Sequence, residues 1–263
     1  MYTMSARKLD QFYTKESVVR TVLGTVNLNF FQTIIEPSSG DGSFVKLLVQ
    51  HPNLLYVDID SPDPAHRFDF LLYNPSTTGN VLVVGNVPFG RRCSLAVKFF
   101  NHAAIMADTI AFIVPKTFQK NSIQNRLDMR FHLVVEHVLP LNSFLLEGEE
   151  YNVATVWQIW EKRLQPRQKI EKLPMVEDFK FCKRGDTPDI AIRRVGVLAG
   201  RIFETSLETR SEESHLFLKV SKNNLEKLRT LNLESCEEKY QTVSNPCISK
   251  NDILKNYKNT YSD

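Results

Sequence analysis

The segment best suited to chemistry follows an apolar run at residues 81–84 and consists of Asn86, Val87, Pro88 and Phe89. An amine conjugated to a heteroaromatic ring is a poor nucleophile, because its lone pair is delocalised into the ring. Two acceptors aimed at its hydrogens would free that lone pair: the side-chain carbonyl of Asn86 and the backbone carbonyl of Val87, held by the fixed φ of Pro88. Phe89 would stack on the base, contributing ~1–3 kcal/mol. An ordinary strand followed by an Asn-X-Pro turn is the alternative.

A glycine-containing turn lies upstream of this segment. Residues 31–35 predict a buried strand that ends at Glu36, and residues 44–49 predict the start of an amphipathic helix. Gly40 and Gly42 lie between them and let the backbone approach a ligand closely. A strand, a glycine turn and a helix form a backbone cradle at the edge of a parallel sheet where ligands bind. The Lys-Ser/Thr ending of a phosphate loop is missing, and a plain structural turn is the alternative.

An acidic residue follows the next strand-like run, residues 54–57. Asp58 lies about twenty residues after the glycine turn, where a carboxylate accepts both ribose hydroxyl hydrogens of an adenosyl group. Asp58 is favoured over Asp60 because it follows the apolar run directly, and an acid that merely ends a strand is the alternative. Farther on, Asp69 is placed to accept from the adenine amine beside an aromatic ring. The predicted contacts in this part of the chain are Asp58, Ile59, Asp69 and Phe70.

Taken together, these motifs resemble those of the S-adenosylmethionine-dependent amino-methyltransferases that modify adenine N6 in DNA or RNA. The usual tetrapeptide of that family is Asn/Asp-Pro-Pro-Tyr/Phe, and the rRNA adenine dimethylases have an aliphatic second residue, as Val87 is here. Residues 11–14 resemble the Phe-Tyr-Thr-Pro segment that closes over the methionine end of the cofactor in many DNA adenine methylases. Lys15 stands where that proline is usual. The resemblance covers roughly residues 8–163.

The resemblance implies S-adenosylmethionine as cofactor, base flipping for duplex substrates, and an α/β fold with a seven-stranded, mostly parallel, doubly wound sheet. It carries catalytic roles onto Asn86, Val87, Pro88 and Phe89. It carries cofactor contacts onto Phe12, Tyr13, Thr14, Glu36, Pro37, Ser38, Gly40, Gly42, Phe44, Asp58, Ile59, Asp69, Phe70 and Asn86.

The elements that must position these residues are predicted from hydrophobic periodicity. A helix over 95–104 precedes a central strand over 109–114, and residues 131–135 and 152–160 predict the remaining strands. Residues 145–151 between them predict an exposed acidic loop. Lys116 and Phe118 follow the 109–114 strand at the same sheet edge as Asn86, so both are candidate substrate contacts. Phe118 is equally consistent with a core position, and Lys116 with a solvated one.

A polar, proline-containing stretch near residues 161–174 predicts a domain boundary. We therefore expect a catalytic, cofactor-binding domain over 1–163 and a small α+β substrate-binding or accessory domain over 164–263. Methylases of this type often carry such a part to grip the polynucleotide. Its candidate phosphate contacts are Arg193, Arg194 and Arg201, for which a solvated charged face is the alternative.

Composition narrows the class of protein. The formal net charge of +3 requires any nucleic-acid footprint to be local. No apolar run approaches the length of a membrane span, and residues 1–8 contain no apolar signal-peptide core. The cysteines and histidines show no metal-ligand spacing, so no metal is expected. Free thiols suit a reducing, intracellular compartment, cytoplasmic or nuclear. The cysteines are Cys93, Cys182, Cys236 and Cys247.

Three functions remain open from the sequence. The favoured one is methyl transfer to adenine N6 in nucleic acid, with DNA favoured over RNA. The second is methyl transfer to another planar amine, such as cytosine N4 or a glutamine amide. The third is a catalytically silent module that binds nucleic acid or a partner subunit. Phe89 favours adenine over cytosine, and the basic, glycine-containing C-terminal part favours a polynucleotide over a protein substrate.

Overall fold

The computed structural model describes residues 12–171, 173–221, 224–240 and 245–261. Gln11 of the N-terminal motif lies outside the described residues, and so do residues 1–8, where no signal-peptide core is expected. The chain divides into two compact units, Met1–Lys169 and Ile170–Asp263.

The first unit contains nine strands and four α-helices in its described residues. The strands are β1 (Tyr13–Thr14), β2 (Thr33–Glu36), β3 (Leu54–Tyr56), β4 (Val81–Asn86), β5 (Thr109–Pro115), β6 (Phe131–Val138), β7 (Phe144–Leu146), β8 (Glu149–Tyr151) and β9 (Thr155–Lys162). The helices are α1 (Glu16–Leu23), α2 (Val45–Leu48), α3 (Ser94–Met106) and α4 (Asn121–Gln124). Short 3₁₀ turns are Leu28–Phe30, Pro64–His66, Phe70–Leu72, Arg91–Cys93 and Lys116–Gln119.

A mostly parallel sheet forms the centre of the first unit. Across the described residues it has six strands in the order β3-β2-β4-β5-β9-β6, rather than the seven that the resemblance implies. The β3-β2-β4-β5 pairings are parallel, and β9 is antiparallel to both β5 and β6. Parallel order brings the carboxyl ends of β2, β3 and β4 to one edge. Glu36, Asp58 and Asn86 follow or end these three strands, so the topology gathers them there.

Both faces of the central strands β2, β4 and β5 are buried, and adjacent residues of each strand point to opposite faces. Ile35 packs in a cluster with residues of α3, whereas Ile34 packs in a second cluster with residues of α1. The continuous apolar runs of β4 and β5 are therefore buried throughout, apart from half-buried Asn86, as central parallel strands are. Residues 44–49 supply only the single turn α2, shorter than the helix expected.

The 145–151 segment is exposed from residue 147 to residue 151, as its acidic composition predicts, but it is not a loop. It forms most of a β-hairpin, β7–β8, and β1 pairs with β7 to give a small sheet that is three-stranded in the described residues. Glu147 and Gly148 have φ of 52° and 87° at the turn. Two successive residues of positive φ match the twist of a two-residue hairpin. Strand pairing with β1 outweighs the acidic composition of this segment.

The first unit extends past the boundary expected between residues 163 and 164. The backbone N–H of Arg163 donates to the carbonyl of Arg130 at 2.8 Å. The Arg167 Nε donates to the carbonyl of Phe131 at 2.9 Å. These bonds hold the start of the predicted linker against β6, so the division falls after Lys169.

The second unit is an α+β fold. Its strands are β10 (Phe179–Cys182), β11 (Ile190–Arg193), β12 (Ile202–Phe203) and β13 (His215–Val220), its helices α5 (Leu225–Thr230) and α6 (Lys250–Tyr261), and its 3₁₀ turns Arg184–Asp186, Leu233–Ser235 and Glu237–Tyr240. The described strands form an antiparallel sheet in the order β10-β13-β11-β12. Its core includes Phe179 of β10 and Tyr257 of α6, whose rings meet edge-on at 5.1 Å. Among the described residues of the chain, no helix is long and apolar enough to cross a membrane.

Candidate active site

A cavity of about 470 Å³ opens in the first unit at the edge where β2, β3 and β4 end. The segment at β1, the turn after β2, residues 58–71 and the end of β4 all contribute to its walls. The lining residues that the sequence predicted as site residues are Phe12, Tyr13, Thr14, Pro37, Ser38, Gly40, Phe44, Asp58, Ile59, Asp69, Phe70, Asn86, Val87 and Pro88. Glu36, Gly42 and Phe89 are absent from its described lining, as are the predicted substrate contacts Lys116 and Phe118.

Asp58 ties the glycine turn to β3. One carboxylate oxygen accepts the N–H of Gly40 at 2.9 Å, and the other accepts the N–H of Asp60 at 2.9 Å. Gly40 adopts φ +51°, and a Cβ there would lie 3.1 Å from the Tyr13 ring. Glycine at position 40 therefore allows both the left-handed turn and the close approach of Tyr13. The two oxygens of Asp58 retain further lone pairs for a ligand.

Tyr13 lies in an acidic part of the cavity. Burial raises the pKa of its hydroxyl, and the carboxylates of Asp41, Asp58 and Asp60 raise it further. The hydroxyl therefore stays protonated at neutral pH and keeps its hydrogen available for donation.

Glu36 is buried beneath the turn, with 1% of its surface exposed. One carboxylate oxygen accepts the N–H of Ser38 at 3.3 Å, and the other is buried without a hydrogen-bond partner among the described residues. Burial raises the pKa of Glu36 well above its usual range, and the charges of Asp58 and Asp41 add to this, against the bond from Ser38. Gly85 makes room for the carboxyl, because a Cβ there would lie 2.4 Å from the Glu36 Oε1.

The Asn86 amide is oriented by one bond. Its Nδ2 donates to the carbonyl of Phe12 at 3.3 Å, and its Oδ1 is buried with no partner within the described residues. The Asn86 backbone carbonyl accepts the Ser38 hydroxyl at 2.9 Å, which joins the two motifs. Val87 and Pro88 continue the cavity wall. A buried acceptor without a partner is unfavourable unless a ligand supplies a donor.

Phe89 was predicted to stack on a base, but its ring is 5% exposed and packs in the core cluster with α1. The Phe12 ring meets it edge-on at 5.1 Å between centroids. The Phe12 ring also contacts the ring of Phe144 in the hairpin, with 5.2 Å between the two centroids. Tertiary contacts of Phe12 thus cover the aromatic residue of the tetrapeptide.

Asp69 is partly used by local structure. Its Oδ1 accepts the N–H of Leu71 at 2.9 Å and caps the 3₁₀ turn that follows. Phe70 lines the cavity but is 1% exposed, whereas Phe68 is 50% exposed and also lines it. Phe68 is therefore better placed than Phe70 to offer a ring to a ligand.

Sequence reasoning missed Leu95 and Phe99, which line the cavity from α3. Their spacing of four residues places both on one face of that helix. The available signal was the start of an apolar helix only a few residues after Phe89.

Two predicted substrate contacts in the first unit lie outside the cavity lining. Phe118 is fully buried in the core cluster that also contains residues of α3. It therefore occupies the core position that was the alternative to a substrate contact. Lys116 is half-buried in the 3₁₀ turn after β5. The other candidates, Arg193, Arg194 and Arg201, belong to the second unit, where Arg201 is exposed and the other two are half-buried.

Lys15 replaces the family's proline with a different constraint. Its backbone N–H donates to the carbonyl of Ser143 at 3.0 Å, a bond that proline could not make. Its ammonium pairs with the Glu150 carboxylate of β8. The segment at β1 is thus held to the hairpin by strand pairing and an ion pair.

No family model matches the chain, and no curated protein matches it significantly. A proposed RNA methyltransferase from Pyrococcus horikoshii is 15% identical, with 59% of this chain and 88% of that chain covered and a TM-score of 0.47. TrmN from Thermus thermophilus is 14% identical over 56% of this chain and 48% of its own, with a TM-score of 0.39. A type I restriction-modification methyltransferase subunit from Streptococcus thermophilus is 13% identical over 95% and 58%, with a TM-score of 0.40. At these levels of similarity, function has to be inferred from the geometry of the site.

Proposed function

We propose that this chain transfers a methyl group from S-adenosylmethionine to the exocyclic N6 amine of adenine in nucleic acid, with DNA favoured over RNA. The observation that carries the proposal is the buried, unpartnered Oδ1 of Asn86. It belongs to the wall of the same cavity as the carboxylates of Asp58 and Asp69.

The residues of the cavity fit an adenosyl group. The volume of about 470 Å³ lies within the usual range for a small-molecule site. Asp58 has acceptor capacity left for the two ribose hydroxyls, and Asp69 has capacity left for the adenine amine beside Phe68. Glu36 lies beneath the turn and outside the described lining, and we propose that its unpartnered oxygen accepts a donor at the methionine end when the cofactor binds. When bound, S-adenosylmethionine supplies a methyl group on a positively charged sulfur.

Asn86 and Val87 would prepare the accepting amine. The Asn86 Oδ1 and the Val87 backbone carbonyl each accept one hydrogen of the amine, which draws the nitrogen toward tetrahedral geometry and frees its lone pair. The bond from Asn86 Nδ2 to Phe12 keeps Oδ1, rather than the amide nitrogen, as the atom offered. The methylated amine is acidic enough to lose its proton without a strong general base.

Phe89 would stack on the target base once the Phe12 side chain turns aside. Phe12 belongs to the segment that the resemblance associates with closure over the cofactor. We therefore assign Phe12 a role in both the cofactor side and the base side of the cavity. The second unit would bind the polynucleotide, and a reducing intracellular compartment suits both that substrate and the free thiols.

The test is a transfer assay with labelled S-adenosylmethionine. The purified chain is incubated in parallel with duplex DNA, single-stranded DNA, structured RNA and total protein, and labelled nucleic acid is digested to identify the base. Label in N6-methyladenine supports the proposal and names the polymer. Label in cytosine N4 or in glutamine contradicts the adenine assignment. Cofactor binding without transfer to any of the four contradicts catalysis by the isolated chain.

A further inference from the structure

The loop that joins β11 to β12, residues 194–201, exposes two apolar side chains at its tip. Val197 is 81% exposed and Leu198 is 46% exposed. Gly196 and Gly200 flank this tip with φ of +88° and +96°, conformations that other residues rarely adopt. The loop is thus shaped to turn sharply on either side of Val197 and Leu198.

The same loop is firmly attached to the second unit. The N–H of Gly196 donates to the carbonyl of Pro246 at 2.8 Å, and the N–H of Gly200 donates to the carbonyl of Arg193 at 2.7 Å. At Gly200 the backbones are in close contact, because an added Cβ would lie 2.2 Å from the carbonyl oxygen of Leu233. The exposed tip is therefore part of a built structure.

A buried lysine also holds the tip. Lys239 is 3% exposed, and its ammonium donates to the carbonyls of Val197 at 2.7 Å and Glu234 at 2.8 Å. Removing an ammonium from water is costly unless it is well bonded. The buried ammonium of Lys239 thus fixes the backbone of Val197, whose side chain is exposed.

The flanks of the loop are basic. Arg193 ends β11, Arg194 begins the loop and Arg201 ends it, and none of these three has an ion-pair partner in the part of the chain that the structure describes. By contrast, Arg229 in the same unit pairs with Glu204 and Glu226. An apolar tip between uncompensated arginines fits a partner with an apolar interior and an anionic exterior.

We propose that Val197 and Leu198 form a wedge that inserts between stacked base pairs of a DNA duplex, while the flanking arginines contact its phosphates. Apolar side chains that unstack a base step and bend the duplex are an established way to bind DNA. This wedge rests on the proposed function, because that function takes a polynucleotide as substrate. The wedge deepens the proposed function by naming duplex DNA as the form that is bound. The positive charge of the flanking arginines favours DNA as the partner, because arginines would not strengthen binding to an apolar protein surface.

The experiment compares two double variants of the full chain for binding to a mixed-sequence DNA duplex. Val197→Ala with Leu198→Ala removes the wedge, and Val49→Ala with Ile105→Ala is the control, since those side chains of the first unit are 60% and 65% exposed. We expect the wedge variant to raise the Kd for the duplex roughly 10- to 100-fold, because the complex would lose the burial of two apolar side chains. The control variant should have the same Kd as the parent chain. Both variants should keep the thermal midpoint of the parent, because exposed side chains are truncated.

Two further DNA probes separate a wedge from a general apolar contact. A central mismatch already weakens stacking, so the deficit of the wedge variant should shrink on a mismatched duplex and vanish on a single strand. Equal loss on all three DNA forms, or no loss on the duplex, would overturn the proposal, as would binding to an RNA duplex in preference to DNA. Failure of the proposed function looks different: the parent chain itself would transfer no label to adenine, whatever its affinity for the duplex.

Discussion

Two sides of the site differ in how completely their polar atoms are bonded. On one side, both carboxylate oxygens of Asp58 accept backbone N–H groups, from Gly40 and from Asp60. On the other side, Asn86 in the cavity wall and Glu36, buried beneath the turn and outside the described lining, each bury one oxygen that has no partner within the described residues. Asp58 therefore serves the fold and has lone pairs left over, whereas Glu36 and Asn86 each leave an acceptor unsatisfied.

This difference separates preorganisation from reactivity. The bonded side holds its shape without a ligand, since the turn is fixed by backbone donors. The unbonded side costs stability, because buried acceptors without donors are unfavourable. Functional sites commonly hold such unfavourable arrangements, and we infer that a ligand completes Glu36 and Asn86.

The largest effect is expected for Asn86→Ala. Removing the proposed acceptor should lower the rate of methyl transfer about 10²- to 10³-fold or more, because the loss of one polar group aimed at a reacting centre has an effect of this size. Dissociation constants for S-adenosylmethionine and nucleic acid should change little, measured by calorimetry and by fluorescence anisotropy. Asn142→Ala, in an exposed loop, is the control. Transfer at the parent rate in the Asn86 variant would remove Asn86 from the mechanism.

Asp58→Ala should weaken cofactor binding about 10- to 100-fold, because charge-assisted bonds to the ribose and the bonds that shape the turn are lost together. Asp63→Ala is a matched control. Asp63 also accepts a backbone N–H, from Ala65 at 2.9 Å, but lies outside the described cavity lining. Both variants should lose about 1 kcal/mol of stability as side-chain bonds to backbone N–H groups disappear, and only the Asp58 variant should lose affinity. Equal affinity loss in both would show that Asp58 acts only through stability.

Glu36→Gln should have opposite effects on stability and on cofactor affinity. Because burial raises the folded-state pKa of Glu36, its ionisation opposes folding at neutral pH. The neutral variant should therefore have a higher free energy of unfolding than the parent at neutral pH, yet bind S-adenosylmethionine more weakly.

The stability gain should depend on pH. The parent protein recovers stability as the pH falls from the raised pKa of Glu36 through the ordinary value of 4.5, and below that value the carboxyl is neutral in both folded and unfolded chains. The difference between variant and parent in urea unfolding should then disappear. A gain that persists at low pH would mean that packing, not charge, causes it.

The smallest effect is expected for Glu150→Gln. This substitution removes the ion pair between Lys15 and Glu150. The side chain of Glu150 is 61% exposed. Exposed pairs contribute about 0–1 kcal/mol, so unfolding free energy should fall by less than about 1 kcal/mol, and the difference should vanish at high salt. A larger loss, or a large change in cofactor affinity, would show that the pair, rather than the β1–β7 pairing, holds the N-terminal segment over the cavity.

Much of the site follows from local sequence. The apolar runs before Glu36, Asp58 and Asn86 indicate buried strands, and parallel pairing then brings their carboxyl ends to one edge. The positive φ required at Gly40 is also a local property, since glycine adopts it without strain. These features depend on periodicity and on residue type, which a single sequence contains.

Other features depend on residues distant in the chain. The cover that Phe12 places on Phe89 needs the hairpin, because Phe144 packs on the same ring of Phe12. The hairpin of residues 145–151 joins a sheet because β7 pairs with β1, which lies more than 100 positions earlier in the chain. Phe118 is drawn into the core because its neighbours there come from α3 and β5.

The sequence by itself determined the α/β character of the first unit, the strand-end positions of Glu36, Asp58 and Asn86, and the glycine turn beside them, because strand periodicity and backbone preference are local. Only the tertiary structure decided which of their polar atoms are bonded and which aromatic ring is covered. Hydrogen-bond completion and burial are properties of the packed neighbourhood, and contacts between distant segments are not encoded at any one position.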